Sequence, residues 1–233
     1  MDGPGIRTVV FFAGCNLRCK YCHNPDTWNI NKGEIMKADD IIYEVLKYAS
    51  YYKFSGGGVT ISGGEPLLQP VLLRAVLEGC KKNGIHTAID TSGCCEPDTA
   101  KRILPHVDLV MLDIKCFNSK KYLDLTGQEL SKTLAFLDEA KKLNTPTWVR
   151  YVLVPGFTDD LDDLKQLSDY LNAFGNIKKV EVLPFHKNGE YKWADLSLKY
   201  ELQDTLPPSP ELLEKAKAIL ESTSKPPFCH CDR

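Results

Sequence analysis

Short apolar runs rich in β-branched residues alternate along the chain with stretches whose apolar residues recur every three or four positions. Runs of the first kind predict buried strands, and stretches of the second kind predict helices with one apolar face. Because the two kinds alternate, the pattern is typical of βα units around a parallel sheet. The predicted strands span residues 8–12, 59–62, 86–90, 107–113, 148–154 and 179–184.

The helical repeat is clearest in three stretches that follow capping or turn residues. Asp39 and Asp40 precede the first stretch, Thr158 and Asp159 precede the second, and Pro210 opens the third. The repeating apolar residues are Ile41, Ile42, Val45, Leu46 and Ala49, then Leu161, Leu164, Leu167 and Leu171, and finally Leu212, Leu213, Ala216, Ile219 and Leu220.

Six strand–helix units are too few for a closed eightfold barrel, so the sequence predicts an α/β fold, a partial, open (β/α)6 barrel of TIM-like form. No repeat, low-complexity tract or linker divides the chain, and residues 1–233 are expected to form a single domain. In such folds the active site lies at the C-terminal ends of the strands. Polar or glycine-rich segments follow all six predicted strands, and one barrel mouth would gather them.

The composition is that of a globular protein with little net charge. Hydrophobic residues make up 43% of the 233 residues, and 29 Lys and Arg stand against 31 Asp and Glu. A pI near 6.2 gives no overall attraction to nucleic acid or anionic lipid, so neither partner is expected. No apolar run reaches the roughly 18 residues of a membrane span, and residues 1–4 lack signal-peptide features. A cytoplasmic location is expected.

Nine cysteines are many for a protein of a reducing compartment, where metal or redox chemistry is a commoner use than disulfide formation. Cys15, Cys19 and Cys22 form a tight C-x3-C-x2-C group in the loop after the first predicted strand. Thiolates are soft ligands that suit iron–sulfur clusters, zinc or Cu(I). Because Arg18 and Lys20 lie between them, the segment does not read as part of a core.

The number of cysteines in this group separates the alternatives. A structural zinc site needs four protein ligands, and neighbouring residues such as Cys22 and His23 seldom point at one metal. Zinc would therefore need a distant ligand such as Cys94, Cys95 or Cys116. A cubane cluster normally has four cysteine ligands, and three leave one iron open to a small molecule. An open iron–sulfur cluster is the favoured interpretation, with zinc and ordinary buried thiols as alternatives.

Residues 15–22, CNLRCKYC, resemble the cluster loop of the radical S-adenosylmethionine (SAM) superfamily. Further segments look like those of the enzymes that activate glycyl radical enzymes, and the resemblance is greatest to the pyruvate formate-lyase type. Those segments are residues 2–7, 22–28, 55–60 and 183–186, with Gly189, Lys192 and Trp193. No cysteine lies between Cys22 and Gly63, whereas several other activating enzymes have an insertion with extra cysteines there. The resemblance implies a radical SAM form of the open barrel.

The resemblance implies a 4Fe–4S cluster held by Cys15, Cys19 and Cys22, with SAM chelating the remaining iron. In this family reductive cleavage of SAM gives a 5′-deoxyadenosyl radical, which removes a hydrogen from a backbone glycine of a partner enzyme. The expected protein substrate is a glycyl radical enzyme of the pyruvate formate-lyase type, and the expected electron donor is a flavodoxin or ferredoxin. The protein is expected to act as a monomer in anaerobic metabolism. No side-chain acid or base is implied, because cluster and SAM carry the chemistry.

Contacts to SAM are implied for Tyr21, Cys22, His23, Gly64, Asp90, Thr91, Asp113, Ile114, Lys115 and His186. The amino group of SAM is expected at Gly64, its ribose and carboxylate at Asp113 and Lys115, and its adenine beside His186. A monovalent cation, touched by Met111 as well as by the Asp90-Thr91 pair, is also implied.

Each of these residues has an ordinary structural interpretation as well. Residues 63–64 are compatible with a plain βα turn, and Asp113 and Lys115 with a surface ion pair that contributes little. Residues 90–91 are compatible with a cap of the next turn, and His186 with a loop histidine.

Asp2, Gly3, Gly5 and Arg7 form a DGxGxR pattern, which contacts the backbone of the substrate's glycine loop in this family. Family members usually carry a further N-terminal segment, whereas this chain begins at the motif. We therefore expect either that a first edge strand is missing or that the start was placed too late.

Two other functions stay open at the level of sequence. The protein could activate a different glycyl radical enzyme, such as a keto-acid formate-lyase or an anaerobic ribonucleotide reductase. It could instead be a non-catalytic iron–sulfur electron carrier or a zinc-binding adaptor, which leaves residues 63–65 and His186 without a purpose. Cys229 and Cys231 near the C-terminus have no assigned role.

Overall fold

The apolar runs form one parallel sheet in the computed structural model, which describes residues 2–223. The strands are β1 (Arg7–Phe12), β2 (Gly58–Gly63), β3 (His86–Thr91), β4 (Leu109–Asp113), β5 (Thr147–Leu153) and β6 (Ile177–Pro184). Their order in the sheet follows the sequence, and every neighbouring pair is parallel. β1 and β6 are the two edges, so the predicted α/β fold with an open, six-stranded half-barrel is confirmed.

Helices connect the strands and cover the outer face of the sheet. Within the described part of the chain they are α1 (Ala38–Leu46), α2 (Ala49–Ser55), α3 (Pro70–Lys82), α4 (Pro97–Ile103), α5 (Ser119–Thr126), α6 (Leu130–Lys142), α7 (Leu161–Asn172), α8 (Glu190–Asp195) and α9 (Pro210–Leu220). None of these helices has the length and apolar character needed to cross a membrane.

Residues of β5 alternate between the two faces of the sheet, as a strand requires. Val149, Tyr151 and Leu153 are buried in the main core. Arg150 and Val152 are only partly buried and line a cavity on the inner face of the half-barrel. The helices therefore cover one face, and the cavity lies on the other.

A small apolar plug fills the inner face toward the end where the strands begin. Ala88, Leu109 and Met111 are buried together there, and Trp148 packs against them. The ammonium of Lys179 lies 5.0 Å from the centre of the Trp148 ring. This plug confines the cavity to the end where the strands finish.

The first helical stretch is two helices rather than the single one predicted. The Tyr48 N–H donates to the Val45 carbonyl at 3.1 Å, which closes a turn, and the chain starts α2 at Ala49. The caps also differ. Asp40 accepts a hydrogen bond from the Lys37 N–H at 3.3 Å, and Asp160, rather than Thr158 or Asp159, caps α7.

β4 begins at Leu109 rather than at residue 107. A 3-10 turn over Leu104–His106 precedes it, and the Val107 N–H closes that turn on the Leu104 carbonyl at 3.1 Å. A second 3-10 turn, Pro66–Leu68, lies between β2 and α3, which begins at Pro70. Apolar periodicity does not distinguish these short turns from the elements they precede.

The N-terminal segment lies against the end of α2 and the start of β2. The Ile6 N–H donates to Ser55 Oγ at 2.9 Å, and the Gly58 N–H donates to the Ile6 carbonyl at 3.1 Å. A Cβ atom at Gly57 would lie 1.7 Å from the Ile6 carbonyl oxygen. Glycine at residue 57 therefore lets two backbones touch.

We expect Gly57→Ala to lower the free energy of unfolding by about 3 kcal/mol, the upper range for overpacking, because the clash is with backbone that cannot rotate away. Urea denaturation measures the change. Gly175→Ala is the matched control, since a Cβ there meets nothing within 4 Å. Equal stabilities for the two variants would contradict the close approach.

Candidate functional site

The C-terminal ends of all six strands border one cavity of about 380 Å³. Its lining from β1 to β6 includes Phe11 and Cys15, residues 62–65, residues 90–92, Asp113 and Lys115, Arg150 and Val152, and Leu183 and His186. The half-barrel therefore gathers the polar segments at one mouth, as the strand order predicts.

Most of the residues singled out by sequence meet at this cavity. Those on its wall are Asp2, Cys15, Cys19, Tyr21, Cys22, His23, Gly64, Asp90, Thr91, Asp113, Lys115 and His186. Gly3, Gly5, Arg7 and Ile114 lie away from it. The Ile114 side chain is fully buried in the core, because alternation turns it away from the side that Asp113 and Lys115 share.

The cysteine loop, residues 15–22, is tied to the C-terminal end of α5. The N–H groups of Arg18 and Lys20 donate to the carbonyls of Thr126 and Leu125 at 2.7 and 3.0 Å. The last carbonyl groups of a helix have no partner within the helix, so these hydrogen bonds satisfy both the α5 carbonyls and the N–H groups of the loop.

A ring of side-chain hydrogen bonds holds the same loop from the other side. Gln128 Nε2 donates to the Asn16 carbonyl at 2.9 Å, and Asn16 Nδ2 donates to the Cys94 carbonyl at 3.0 Å. The Cys94 thiol, which is fully buried, closes the ring on Gln128 Oε1 at 3.6 Å. Cys94 thus supports the loop rather than standing apart from it.

Burial raises the pKa of Cys15 to about 11 and of Cys19 to about 12, and it raises the pKa of Cys22 as well. The three thiols therefore keep their protons at neutral pH when no metal is bound. Metal ions displace those protons and supply the positive charge that buried thiolates need.

The spacing of the three thiols fits an iron–sulfur cluster better than one zinc ion. Within residues 2–223, no group of three or more His, Cys, Asp or Glu side chains is arranged to hold a single metal ion. A zinc site needs four ligands on one ion, whereas a cubane cluster meets each cysteine through a different iron. Three soft donors on one cavity wall suit the cluster.

A chain of charges crosses the inner face of β3, β4 and β5. Arg150 pairs with Asp90, and Arg150 Nε donates to Asp113 at 2.8 Å. Lys115 donates to the other oxygen of Asp113 at 2.6 Å, and Ser62 Oγ donates to Asp90 at 2.8 Å. Two acids and two bases therefore compensate each other in a buried setting.

This arrangement keeps Asp113 ionised. Burial alone would raise the pKa of Asp113, but the adjacent guanidinium of Arg150 and ammonium of Lys115 outweigh burial and lower the pKa to about 2. Asp113 is therefore an acceptor only, suited to hydroxyl groups, and Lys115 is a cation suited to a carboxylate.

Glu65 organises the turn after β2. Its carboxylate is buried and accepts hydrogen bonds from Thr91 Oγ1 at 2.5 Å, from the Ser92 N–H at 2.9 Å and from Ser92 Oγ at 2.5 Å. A Cβ at Gly64 would lie 2.1 Å from the Gly14 carbonyl oxygen, so glycine brings this turn against the cysteine loop. The Thr91 hydroxyl is engaged with Glu65 and with the Gly93 N–H.

The segment after β6 covers the end of the cysteine loop. The rings of His23 and His186 stack with their centres 4.4 Å apart, and the Trp193 indole N–H donates to the Cys22 carbonyl at 2.8 Å. Burial lowers the pKa of His23, which keeps the imidazole neutral at pH 7. The stacked pair offers a flat surface at the mouth.

One buried polar atom on the cavity wall is left without a partner. The Tyr21 hydroxyl has none within the described residues, and the Lys115 ammonium lies 5.8 Å from the centre of the Tyr21 ring. Buried hydroxyls are seldom left unpaired, so this one is suited to a polar ligand in the cavity.

Arg7 and Asp2 have different surroundings although they share one motif. The Arg7 guanidinium bonds to Thr60 Oγ1 at 2.7 Å and to the Val59 carbonyl at 2.5 Å, and burial lowers the pKa of Arg7 to about 10. The Asp2 carbonyl accepts from Thr60 Oγ1 at 2.6 Å, and Asp2 itself borders the cavity. Arg7 anchors the segment, and Asp2 is the acidic residue at the opening.

A sequence model of the radical SAM superfamily matches residues 9–168. The chain belongs to the radical SAM superfamily. A pyruvate formate-lyase-activating enzyme of Staphylococcus epidermidis is 42% identical over 234 residues, which cover 97% of this chain and 93% of that protein. The chain is a radical SAM enzyme of the activating type.

Two solved structures share the fold. A domain of the pyruvate-formate lyase-activating enzyme from Bacteroides vulgatus is 24% identical, with a TM-score of 0.60 over 72% of this chain and 94% of that one. Streptococcus suis SuiB bound to S-adenosylmethionine is 19% identical, with a TM-score of 0.59 over 76% of this chain and 40% of that one. Radical SAM enzymes use a 4Fe–4S cluster and SAM, and so does this chain.

Several residues of this radical SAM site escaped the sequence reasoning. Glu65 was seen only as part of a glycine turn, although a carboxylate directly after two glycines and a strand is a usable signal. Asn16 and Gln128 carried none, because their contact joins positions far apart in sequence. Cys229 and Cys231 lie outside the described residues.

Asp113→Asn should lower stability by about 2 kcal/mol at neutral pH, since the pKa of Asp113 is near 2 against about 3.9 in the unfolded chain. A lowered pKa means that this stabilisation is complete above the unfolded value and is lost as the pH falls through 2. Denaturation of the cluster-free protein between pH 5 and pH 2 measures it. Asp169→Asn, at an exposed residue of α7, is the control. If the loss of unfolding free energy in Asp113→Asn were the same at every pH, the ion-pair network would not be its cause.

Gln128→Met removes the hydrogen bond from Gln128 to the Asn16 carbonyl of the cysteine loop and the bond from the Cys94 thiol to Gln128, while keeping a similar side-chain volume. We expect the Cys19 thiol of cluster-free protein, only 8% exposed in the structure, to react several-fold faster with iodoacetamide because local opening costs about 1–2 kcal/mol less. Mass spectrometry of the labelled peptide gives the rate. Gln203→Met, at an exposed residue, is the control; unchanged Cys19 labelling would show that Gln128 does not hold the loop.

Proposed function

We propose that the protein activates a glycyl radical enzyme of the pyruvate formate-lyase type by removing a hydrogen atom from a backbone glycine. It acts in the cytoplasm as a monomer made of one radical SAM domain. A flavodoxin or ferredoxin supplies the electron. The relative at 42% identity over 97% of the chain supports this choice of protein substrate.

The observation that carries the proposal is the convergence of three soft ligands and one charge network on a single cavity. Cys15, Cys19 and Cys22 would hold the cluster, and the other residues that line the cavity would hold SAM. When bound, cluster and SAM together supply the one-electron cleavage of the sulfonium and the hydrogen abstraction that follows. The chain itself binds, orients and excludes water.

Each wall of the cavity suits a different part of SAM. Lys115 faces the methionine carboxylate, and Asp113 accepts hydroxyl groups of the ribose. The backbone at Gly64 meets the amino group, and the stacked rings of His23 and His186 lie beside the adenine. Tyr21 contributes an apolar ring and its unpaired hydroxyl to the same pocket.

Asp90 lies where a monovalent cation would join SAM to the sheet. Its carboxylate is held by Arg150 and Ser62, so a cation there shares Asp90 with Arg150. The neighbouring Thr91 acts mainly through Glu65. Ile114 contributes only by supporting the pairing of β4 with β5: its N–H donates to the Arg150 carbonyl at 3.1 Å.

The motif of Asp2, Gly3, Gly5 and Arg7 positions the substrate's glycine loop. Arg7 and Gly5 fix the segment on β2, and Gly3 packs on the Arg7 side chain. Asp2 is left at the opening of the cavity, where an acidic side chain suits the N–H groups of an extended peptide.

Electron paramagnetic resonance on anaerobically reconstituted, reduced protein tests the site. We expect a 4Fe–4S signal that changes on addition of SAM and that disappears in Cys15→Ala, Cys19→Ala or Cys22→Ala. Cys80→Ala, at a buried thiol of α3, should keep the signal. A cluster that is indifferent to SAM would leave only an electron carrier.

The client is tested by adding pyruvate formate-lyase and looking for a stable glycyl radical signal. We expect that signal to require SAM and a reductant and to be lost with Lys115→Ala. A SAM-responsive cluster that activates only an anaerobic ribonucleotide reductase or another formate-lyase would keep the reaction and reject this client.

A further inference from the structure

A second, more open cavity of about 500 Å³ lies beside the cysteine loop. Gly14, Asn16, Arg18, Ile30 and Leu68 belong to its lining. Cys15 and Trp28 border both cavities. The cysteine loop is therefore a thin wall with the SAM cavity on one side and this surface, which we call the loop surface, on the other.

The loop surface exposes apolar side chains from two separate turns. Ile30 is 51% exposed and Leu68 is 39% exposed. Ile30 begins a 3-10 turn and packs over Gly14, while Leu68 ends the turn that precedes α3. Clustered exposed apolar residues beside Trp and Arg are typical of docking sites.

The charge on the loop surface has one sign. Arg18 is the only charged residue among the described residues that line it. Its guanidinium is fixed, because Nη1 donates to the Cys15 and Leu17 carbonyls at 2.7 Å each and the group lies 4.9 Å from the centre of the Trp28 ring. A rigid cation with no acid beside it on this lining favours an acidic partner.

We propose that the loop surface is the docking site of the electron donor, an acidic redox protein whose prosthetic group lies at its edge. The inference rests on the proposed function. A protein substrate has no need to bind this surface, because its glycine must reach SAM in the other cavity. An electron donor bound here would lie beside the cluster, since Cys15, a proposed cluster ligand, is part of the wall.

One electron passes in this encounter. Flavodoxin hydroquinone is oxidised to the semiquinone, and the cluster is reduced from its 2+ to its 1+ state, so the electrons balance. Electron-transfer complexes have small interfaces, which matches a surface of one arginine and a few apolar residues. Salt should weaken the association.

The test introduces either a negative or a positive charge at one exposed residue of the loop surface. Ile30→Glu should raise the Kd for oxidised flavodoxin about tenfold, and Ile30→Lys should lower it or leave it unchanged. Isothermal titration of the cluster-loaded protein gives the Kd. Leu143→Glu is the control: its site is 45% exposed at the end of α6, before β5, at the opposite end of the sheet.

Stopped-flow absorbance gives a second readout, the rate of cluster reduction. Flavodoxin hydroquinone should reduce Ile30→Glu about tenfold more slowly than Leu143→Glu, whereas dithionite, a small reductant that needs no docking, should reduce both alike. Iron and sulfide analysis verifies equal cluster content.

The results that overturn the inference differ from those that overturn the function. Equal Kd values for Ile30→Glu, Ile30→Lys and Leu143→Glu would reject the loop surface, as would equally slow reduction of Ile30→Glu by dithionite. A raised KM for the glycyl radical enzyme, with flavodoxin binding intact, would assign the surface to the client. A cluster that ignores SAM rejects the proposed function while the flavodoxin Kd still tests docking.

Discussion

The arginine at the centre of the inner face holds the site together. Arg150 joins Asp90 on β3 to Asp113 on β4, so three strands are tied together on the inner face of a half-barrel that no further strand within residues 2–223 closes. Charges taken out of water cost free energy unless every one is paired, and Lys115 and Ser62 complete the pairing. The network contributes less to stability than to geometry, because it fixes where each carboxylate points.

The cysteine loop is likewise held by hydrogen bonds to residues outside it. Its backbone uses the open carbonyls at the end of α5, and its Asn16 is held by Gln128 and Cys94. Three thiols, protonated at neutral pH because burial raises their pKa values, are thereby held at the cavity, and metal binding displaces their protons. The loop is thus built for a cluster before the cluster arrives.

The strands, their parallel arrangement and the open mouth are predictable from the sequence, because apolar, β-branched runs and βα alternation are local signals. The cysteines and the acid–base pair at the end of β4 are also predictable, because their residue types alone indicate metal binding and charge. The break between α1 and α2, the 3-10 turns, and the contacts of Gln128 with Asn16 depend on tertiary partners. The apolar periodicity of the sequence does not predict such contacts, because the residues that make them lie far apart in sequence.

The cysteine loop lies between two cavities, and this position separates two requirements of the reaction, the exclusion of water and the entry of an electron. The SAM side must exclude water and admit only a glycine, and the stacked rings of His23 and His186 border that mouth. In the proposed arrangement the electron enters instead from a donor protein on the other side of the cysteine loop. Cys15 and Trp28 border both spaces, so the loop lies between the inner cavity and an exposed surface. On that proposal the electron donor and the protein substrate approach from different directions, and neither has to leave before the other binds.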